Sequence, residues 1–229
     1  MLDVFSKIKK ILTPHSYFLT PNSYFHYFCE WNLTLHIIGE LMDIENYLSV
    51  TPTGLPLRDG RLLVSTPFFN DAFFNHSVVL LTDHSEKGSA GLVLNRITSV
   101  NLKHIRIDAQ VYLGGPVPSR QLFAIHNFAN CKQASKLLPW IYVGYDNILL
   151  SLIEHNAIEH LRYRFFAGYS GWSAGQLESE LEQKMWVIGN ATPELVFDTP
   201  TEQIWETAVR NLGNDYLHWL QVPMELSSN

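Results

Sequence analysis

FFAGYSGWSAGQLESELEQKMWVIG, Phe165 to Gly189, passes from an aromatic run through three glycines, Gly168, Gly171 and Gly175, into a run of glutamates and out into a second apolar run. Glycine lets backbone N–H groups approach an anion and takes φ > 0 without strain, so the stretch raises two possibilities, a ligand-cradling loop or the start of a helix. With Ser173 as N-cap, Gln176 falls at the third helical position, an S-x-x-Q capping box in which each side chain satisfies the other residue's N–H. Trp172 and Leu177 then occupy the two positions of a hydrophobic staple, and Leu177 and Leu181 share a buried face. Glu178, Glu180 and Glu182 complement the positive helix end and would repel a bound phosphate. Neither G-x-G-x-x-G nor a lysine-bearing phosphate loop is present. Ser170 fails the nucleophile-elbow pattern, because Gly171 comes one residue too soon for G-x-S-x-G. The stretch therefore predicts a strand, a glycine turn, a helix and a strand, with Gly168, Tyr169 and Gly171 left as ligand-binding candidates.

Outward from this segment, β-branched and leucine-rich runs predict further strands at RLLVS (61–65), SVVLLT (77–82), GLVLN (91–95), VYLG (111–114), LFAIH (122–126) and RYRFF (162–166). DHSEKGSA, between the second and third runs, predicts a hairpin loop longer than two residues, with Gly88 at its turn. Two more helices are expected. DNILLSLIEHN starts at Asp146 as N-cap and has an apolar stripe at 148, 149, 152 and 153. TPTEQIWETAVRNLG places Thr199 as N-cap, Pro200 at the first helical position, Glu202 three residues after the cap and Gly213 at the end.

YLGGPVPSRQLFAIH, Tyr112 to His126, holds a second special turn. Gly114, Gly115 and Pro116 form a sharp turn at a strand end, read either as a tight crossover between strands or as a ligand-lining loop with Arg120 as an anion contact. The histidines show no metal spacing: HExxH is absent, and His155 and His160 diverge by about 140° round a helix. His155 and Glu159 have the spacing of a helix-surface pair. Cys131 lies near His126 in sequence, but a lone cysteine is expected to be a small buried hydrophobe. No cofactor is implied.

The composition, 46% hydrophobic and 17% charged over 229 residues, is that of a packed globular core. A formal charge of −6 weighs against a general nucleic-acid binder, although it is uneven. From Arg96 to Lys136 there are six cations (Arg96, Lys103, Arg106, Arg120, Lys132, Lys136) against Asp108, whereas Glu178 to Glu225 holds nine acids against Lys184 and Arg210. Two distant cysteines encode neither a disulfide framework nor a zinc site, and no run is apolar enough for a transmembrane segment, so a cytoplasmic protein is expected. Residues 1–41, with the aromatic stretch YFLTPNSYFHYFCEW, lack periodicity; they are expected to be an N-terminal extension, non-native or disordered, ahead of one domain over 42–229.

Four ordered segments, Gly60 to Arg96, Val111 to Val117, Phe165 to Ile188 and Leu195 to Gly213, resemble the AlgH/YqgE family of small bacterial proteins. The resemblance implies a single α+β domain with a mixed, split, partly barrel-like β-sheet packed with helices. The family's name reflects a proposed role in regulating alginate production, and the resemblance supplies no established catalytic residues. Its recurring positions fall on Asn95, Arg96, Gly114, Gly115, Pro116, Gly168, Tyr169, Gly171, Trp172, Gly175 and Gln176, which adds Asn95 and Arg96 to the ligand-binding candidates. The leading expectation is a non-enzymatic regulatory module that binds a small ligand or a protein partner. The alternatives are a DNA-binding transcriptional regulator and an enzyme using His84, His126 or Cys131 near Arg96.

Overall fold

Among the described residues, ten strands and three α-helices form the α+β domain. The computed structural model describes residues 50–69, 71–102, 107 and 109–222. The expected extension over 1–41 lies outside them, as do Lys103 and Arg106 of the basic stretch. The strands are β1 (Arg61–Ser65), β2 (Val78–Ser85), β3 (Gly88–Val93), β4 (Ile97–Asn101), β5 (Gln110–Leu113), β6 (Val117–His126), β7 (Ser135–Leu138), β8 (Ile141–Val143), β9 (Tyr163–Ser173) and β10 (Trp186–Asn190). The helices are α1 (Asn147–Glu154), α2 (Gln176–Glu182) and α3 (Ile204–Leu212). The sheet order is β10-β1-β2-β3-β9-β6-β8-β7, with β4 joined through β5 to β9.

Strand β9 is where the sheet splits. Its second half, Ser170–Ser173, pairs antiparallel with β3, while Phe165–Ala167 pairs in parallel with Val111–Leu113 of β5. On its other edge it pairs antiparallel with β6. The β1–β2–β3 layer is apolar on both faces, which is why its strands read as continuous rather than alternating runs. Leu62, Val64, Val78 and Leu80 pack against Ile204, Trp205, Val209 and Trp219 on one face. Leu63, Val79, Leu81 and Val93 pack against Trp172, Leu177 and Trp186 on the other. A third cluster joins Val111, Ala124 and Phe165 to Leu149 and Ile153 of α1.

Several expectations change at this level. Gly168–Trp172 is not a turn: β9 runs through it to Ser173, so the strand-to-helix connection shrinks to Ala174 and Gly175. The capping box is half made. Gln176 Oε1 accepts from Ser173 N–H at 3.0 Å, but the helix begins behind Gly175 at φ +75° rather than behind Ser173. The staple pair Trp172 and Leu177 does pack in one cluster. The β2–β3 turn is two residues, Glu86 and Lys87, since Ser85 is paired with Gly88. Thr199 and Pro200 are extended, and one 3-10 turn at Thr201–Gln203 precedes α3, which does end at Gly213. Asp146 caps α1 as expected, accepting from Leu149 N–H at 2.9 Å. That helix stops at Glu154, so His155 and Glu159 do not form a helical pair.

Candidate functional site

β5 and β6 lie on opposite edges of β9, so the three residues between them, Gly114, Gly115 and Pro116, must step across that strand. They cross at Gly168–Ser170, and the crossing is backbone on backbone. A Cβ on Gly114 would lie 2.4 Å from the Gly168 carbonyl oxygen, and one on Gly115 would lie 2.1 Å from the Tyr169 carbonyl carbon. Gly168 has φ +70°, and its added Cβ would meet the Val117 carbonyl oxygen at 2.8 Å. Both glycine motifs are thus two sides of one crossing. Gly171 differs: its φ is not in the left-handed region, and the nearest atom to an added Cβ is a Tyr169 ring carbon at 3.2 Å.

Hydrogen bonds lock the crossing. Gly114 N–H donates to the Ala167 carbonyl at 2.9 Å, and the Gly114 carbonyl accepts from Val93 N–H at 2.9 Å and from the buried Ser170 hydroxyl at 3.1 Å. Ser170 is therefore a structural donor. Tyr169 is half-buried, its ring edge-on to Phe123 with centroids 5.7 Å apart. Above the crossing is an open cleft of about 460 Å³ lined by Phe73, Leu113, Gly115, Pro116, Pro118, Ser119, Ala167 and Gly168. Four consecutive residues of β6, Pro118–Gln121, including Arg120, are exposed beside it.

Asn95 and Arg96 do not line this cleft; they hold one of its walls from behind. Asn95 accepts from Val78 N–H at 3.1 Å and donates to the His76 carbonyl at 2.7 Å. Arg96 donates from Nε to the Phe73 carbonyl at 3.3 Å and from Nη2 to the Asn75 carbonyl. These bonds fix the Phe73–His76 turn, in which His76 takes φ 51°. Burial lowers the pKa of Arg96, and burial followed by the Arg96 charge lowers that of His76.

Of the residues proposed for an enzyme, His126 and Cys131 share Asp146 as a neighbour, whereas His84 and Arg96 are engaged elsewhere. His84 Nδ1 meets the Ser89 hydroxyl at 2.8 Å on the β2–β3 hairpin, with Glu178 at 3.9 Å from Nε2. His126 is fully buried on β6. Its Nδ1 accepts from Phe128 N–H at 3.1 Å, and its ring stacks on Tyr142. Burial lowers its pKa, against opposing contributions from the Gly144 backbone, the Asp146 carboxylate and the Phe128 backbone. Cys131 is buried and hydrogen-bonded to Asp146, and burial raises its thiol pKa. Arg96 is committed to backbone carbonyls elsewhere.

Two further polar residues carry weight that the sequence did not reveal. Arg164 is buried in β9, donating to the carbonyls of Leu94 at 3.0 Å and Thr199 at 3.2 Å, with its guanidinium 4.7 Å from the Tyr112 ring centroid. A cation inside an aromatic strand run, Tyr163-Arg164-Phe165-Phe166, was the available signal. Glu180 Oε2 accepts from the indole N–H groups of both Trp172 and Trp186 at 2.8 Å. The glutamates after the glycines are thus partly an internal tether. A second groove of about 420 Å³ runs between Val50–Leu55 and β10, with Leu181, Glu182 and Lys184 beside it. No helix among the described residues is long and apolar enough to cross a membrane.

Comparison with known proteins gives consistent matches. A family model described as AlgH-like matches residues 62–217. A UPF0301 protein of Parabacteroides distasonis is 33% identical over 190 residues, 79% of this chain and 96% of the relative. One from Bacteroides thetaiotaomicron is 35% identical over 179 residues, 74% of this chain and 89% of the relative. The solution structure of the AlgH protein from Pseudomonas aeruginosa superposes with a TM-score of 0.59 at 28% identity, covering 74% of this chain and 96% of that one.

Proposed function

The chain belongs to the AlgH-like family, and from that premise we propose that it is a non-enzymatic, cytoplasmic binding module acting in regulation, with the crossover cleft as its recognition surface. The observation that carries this reading is the make-up of the cleft. Its floor is backbone of Gly115 and Gly168 with the Ala167 methyl, held by the hydrogen bonds of the crossing, and its walls are Phe73, Leu113, Pro116 and Pro118. Among the described residues, Ser119 supplies the one polar side chain of the lining. A rigid, apolar, open concavity with few polar groups suits binding of an apolar moiety, from a small molecule or a partner's side chain. Nucleophilic catalysis needs a nucleophile, a base and an orienting group converging on an accessible point; His84 and Arg96 are engaged elsewhere, and Cys131 and His126, which share Asp146 as a neighbour, are both buried, with the thiol pKa raised by burial.

The glycines, Asn95 and Arg96 serve in this reading as scaffold, while Phe73, Leu113, Pro116, Pro118 and Ser119 make the contacts, with Arg120 at the rim. Of the basic stretch, Arg96 points inward, and Arg120, Lys132 and Lys136 are exposed. Thermal-shift screening against an apolar metabolite panel, combined with crosslinking to partners, tests the proposal with Pro118→Glu as the control. A ligand or partner whose binding Pro118→Glu abolishes supports it. A duplex-DNA mobility shift that is unaffected by Pro118→Glu but lost steeply with salt would replace it with the DNA-binding reading.

A further inference from the structure

We infer that the uncovered edge of β6 is a strand-addition site for an extended acidic segment of a partner protein, beside the cleft and resting on the reading of that cleft as a recognition surface. β6 is ten residues long, yet β8 pairs only with Ile125 and His126, and Gly144 N–H closes that ladder on the Ala124 carbonyl at 2.9 Å. Upstream of Ala124, no strand among the described residues pairs with this side of β6. In an antiparallel ladder both backbone groups of a residue point to one side and alternate residues share it. Leu122 therefore points its N–H and carbonyl the same way as Ala124, toward the open side.

Toward β9 the register jumps from Val117 opposite Tyr169 to Leu122 opposite Ala167. Pro118–Gln121 thus pair with neither neighbouring strand, and all four are exposed. The Ser119 hydroxyl accepts from Gln121 N–H at 3.1 Å and shapes the bulge. The open backbone pair of Leu122 beside this bulge is where an incoming strand would join, its side chains reaching the cleft at Pro118.

Charge selects the occupant. Residues 109–145 contain Arg120, Lys132 and Lys136 and no Asp or Glu, and all three cations are exposed, in a chain of net charge −6. A second copy pairing edge to edge would bring the two Arg120 side chains and their like charges together along the seam. An acidic strand meets complementary charge instead.

Main-chain recognition tolerates sequence, so generic probes suffice. The ¹⁵N-labelled full chain is titrated with a blocked hexapeptide of alternating Glu and Val, with its Lys-Val counterpart, and with an oligothymidylate. The acidic peptide is expected to slow amide exchange at Leu122 about tenfold or more. Arg120→Glu, at an exposed position, is expected to weaken that peptide about tenfold and shift preference toward the Lys-Val peptide. Equal binding of the two peptides, an equal response to oligothymidylate, or acidic-peptide binding without protection of Leu122 overturns the inference. Peptide shifts confined to Phe73 and Leu113 would remove strand addition and leave the cleft reading standing, whereas protection at Leu122 with no response at the cleft would do the reverse.

Discussion

Replacing Gly115 by alanine places a methyl group 2.1 Å from the Tyr169 carbonyl carbon and 2.2 Å from both the Tyr169 oxygen and the Ser170 nitrogen. Carbon contacts below about 3 Å are not sustained, so the crossing chain must lift from β9 by roughly 0.9 Å. Both sides of the contact are backbone, and no side chain can rotate away. Lifting strains the Gly114 N–H bond to Ala167 and the Ser170 hydroxyl bond to Gly114, each worth about 1 kcal/mol net. Overpacking adds about 1–3 kcal/mol, giving roughly 3–5 kcal/mol in all. Gly171→Ala is the internal control, since its nearest obstacle is the edge of a tyrosine ring at 3.2 Å, and it should cost under about 1 kcal/mol. Gly175→Ala meets no atom within 4 Å and should cost only its left-handed φ, about 1–2 kcal/mol. Urea midpoints at constant m-value measure all three. A Gly115→Ala midpoint close to wild type, or a Gly171→Ala loss as large as that of Gly115→Ala, would refute the crossing as the reason for these glycines.

Three further outcomes follow from the polar groups. His76 and His126 both have pKa values lowered by burial, so the unfolded chain binds more protons below about pH 6.5; their contribution is complete above that pH and is lost as pH falls through their folded values. Urea midpoints should therefore drop between pH 7 and 5, and His126→Gln should flatten part of that slope; an unchanged slope would count against a neutral buried His126. Glu180→Ala removes the shared acceptor of two indole N–H groups and should destabilise by about 2–4 kcal/mol while changing tryptophan near-UV circular dichroism, whereas Glu180→Gln keeps one acceptor oxygen and should lose less. Asp146→Ala removes the α1 cap and the acceptor for Lys132 N–H and should cost about 1–2 kcal/mol, read as a lower melting temperature.

Much of the sheet was legible because its strands are buried on both faces and so appear as unbroken apolar runs, as in Val78–Leu81 and Leu92–Leu94. The short β4, β7 and β8 carry no such run and went unseen. Gly168–Trp172 was misjudged as a turn for a physical reason. A glycine in a strand marks close approach of another backbone, and here that backbone is Gly114–Gly115, more than 50 residues away in sequence. No local window holds that contact. The start of α3 slipped because a π-helical turn at Glu194–Asp198 and an extended Thr199–Pro200 precede it, so good capping residues stand at the wrong place. Of the candidate residues, Gly115, Pro116 and Gly168 line the cleft, and Gly114 lies directly beneath it. Asn95 and Arg96 proved to brace the Phe73–His76 turn, and Phe73 itself, one aromatic among thirteen phenylalanines, gave no signal.

Recognition of a ligand or partner at the crossover cleft is open to direct measurement. An apolar fragment library screened against the ¹⁵N-labelled chain reads this directly. Amide shifts clustered at Leu113, Gly115, Ala167 and Gly168, and absent in Pro118→Glu, are predicted; shifts confined to the groove between Val50–Leu55 and β10, or no fragment shifting the cleft amides, would contradict it.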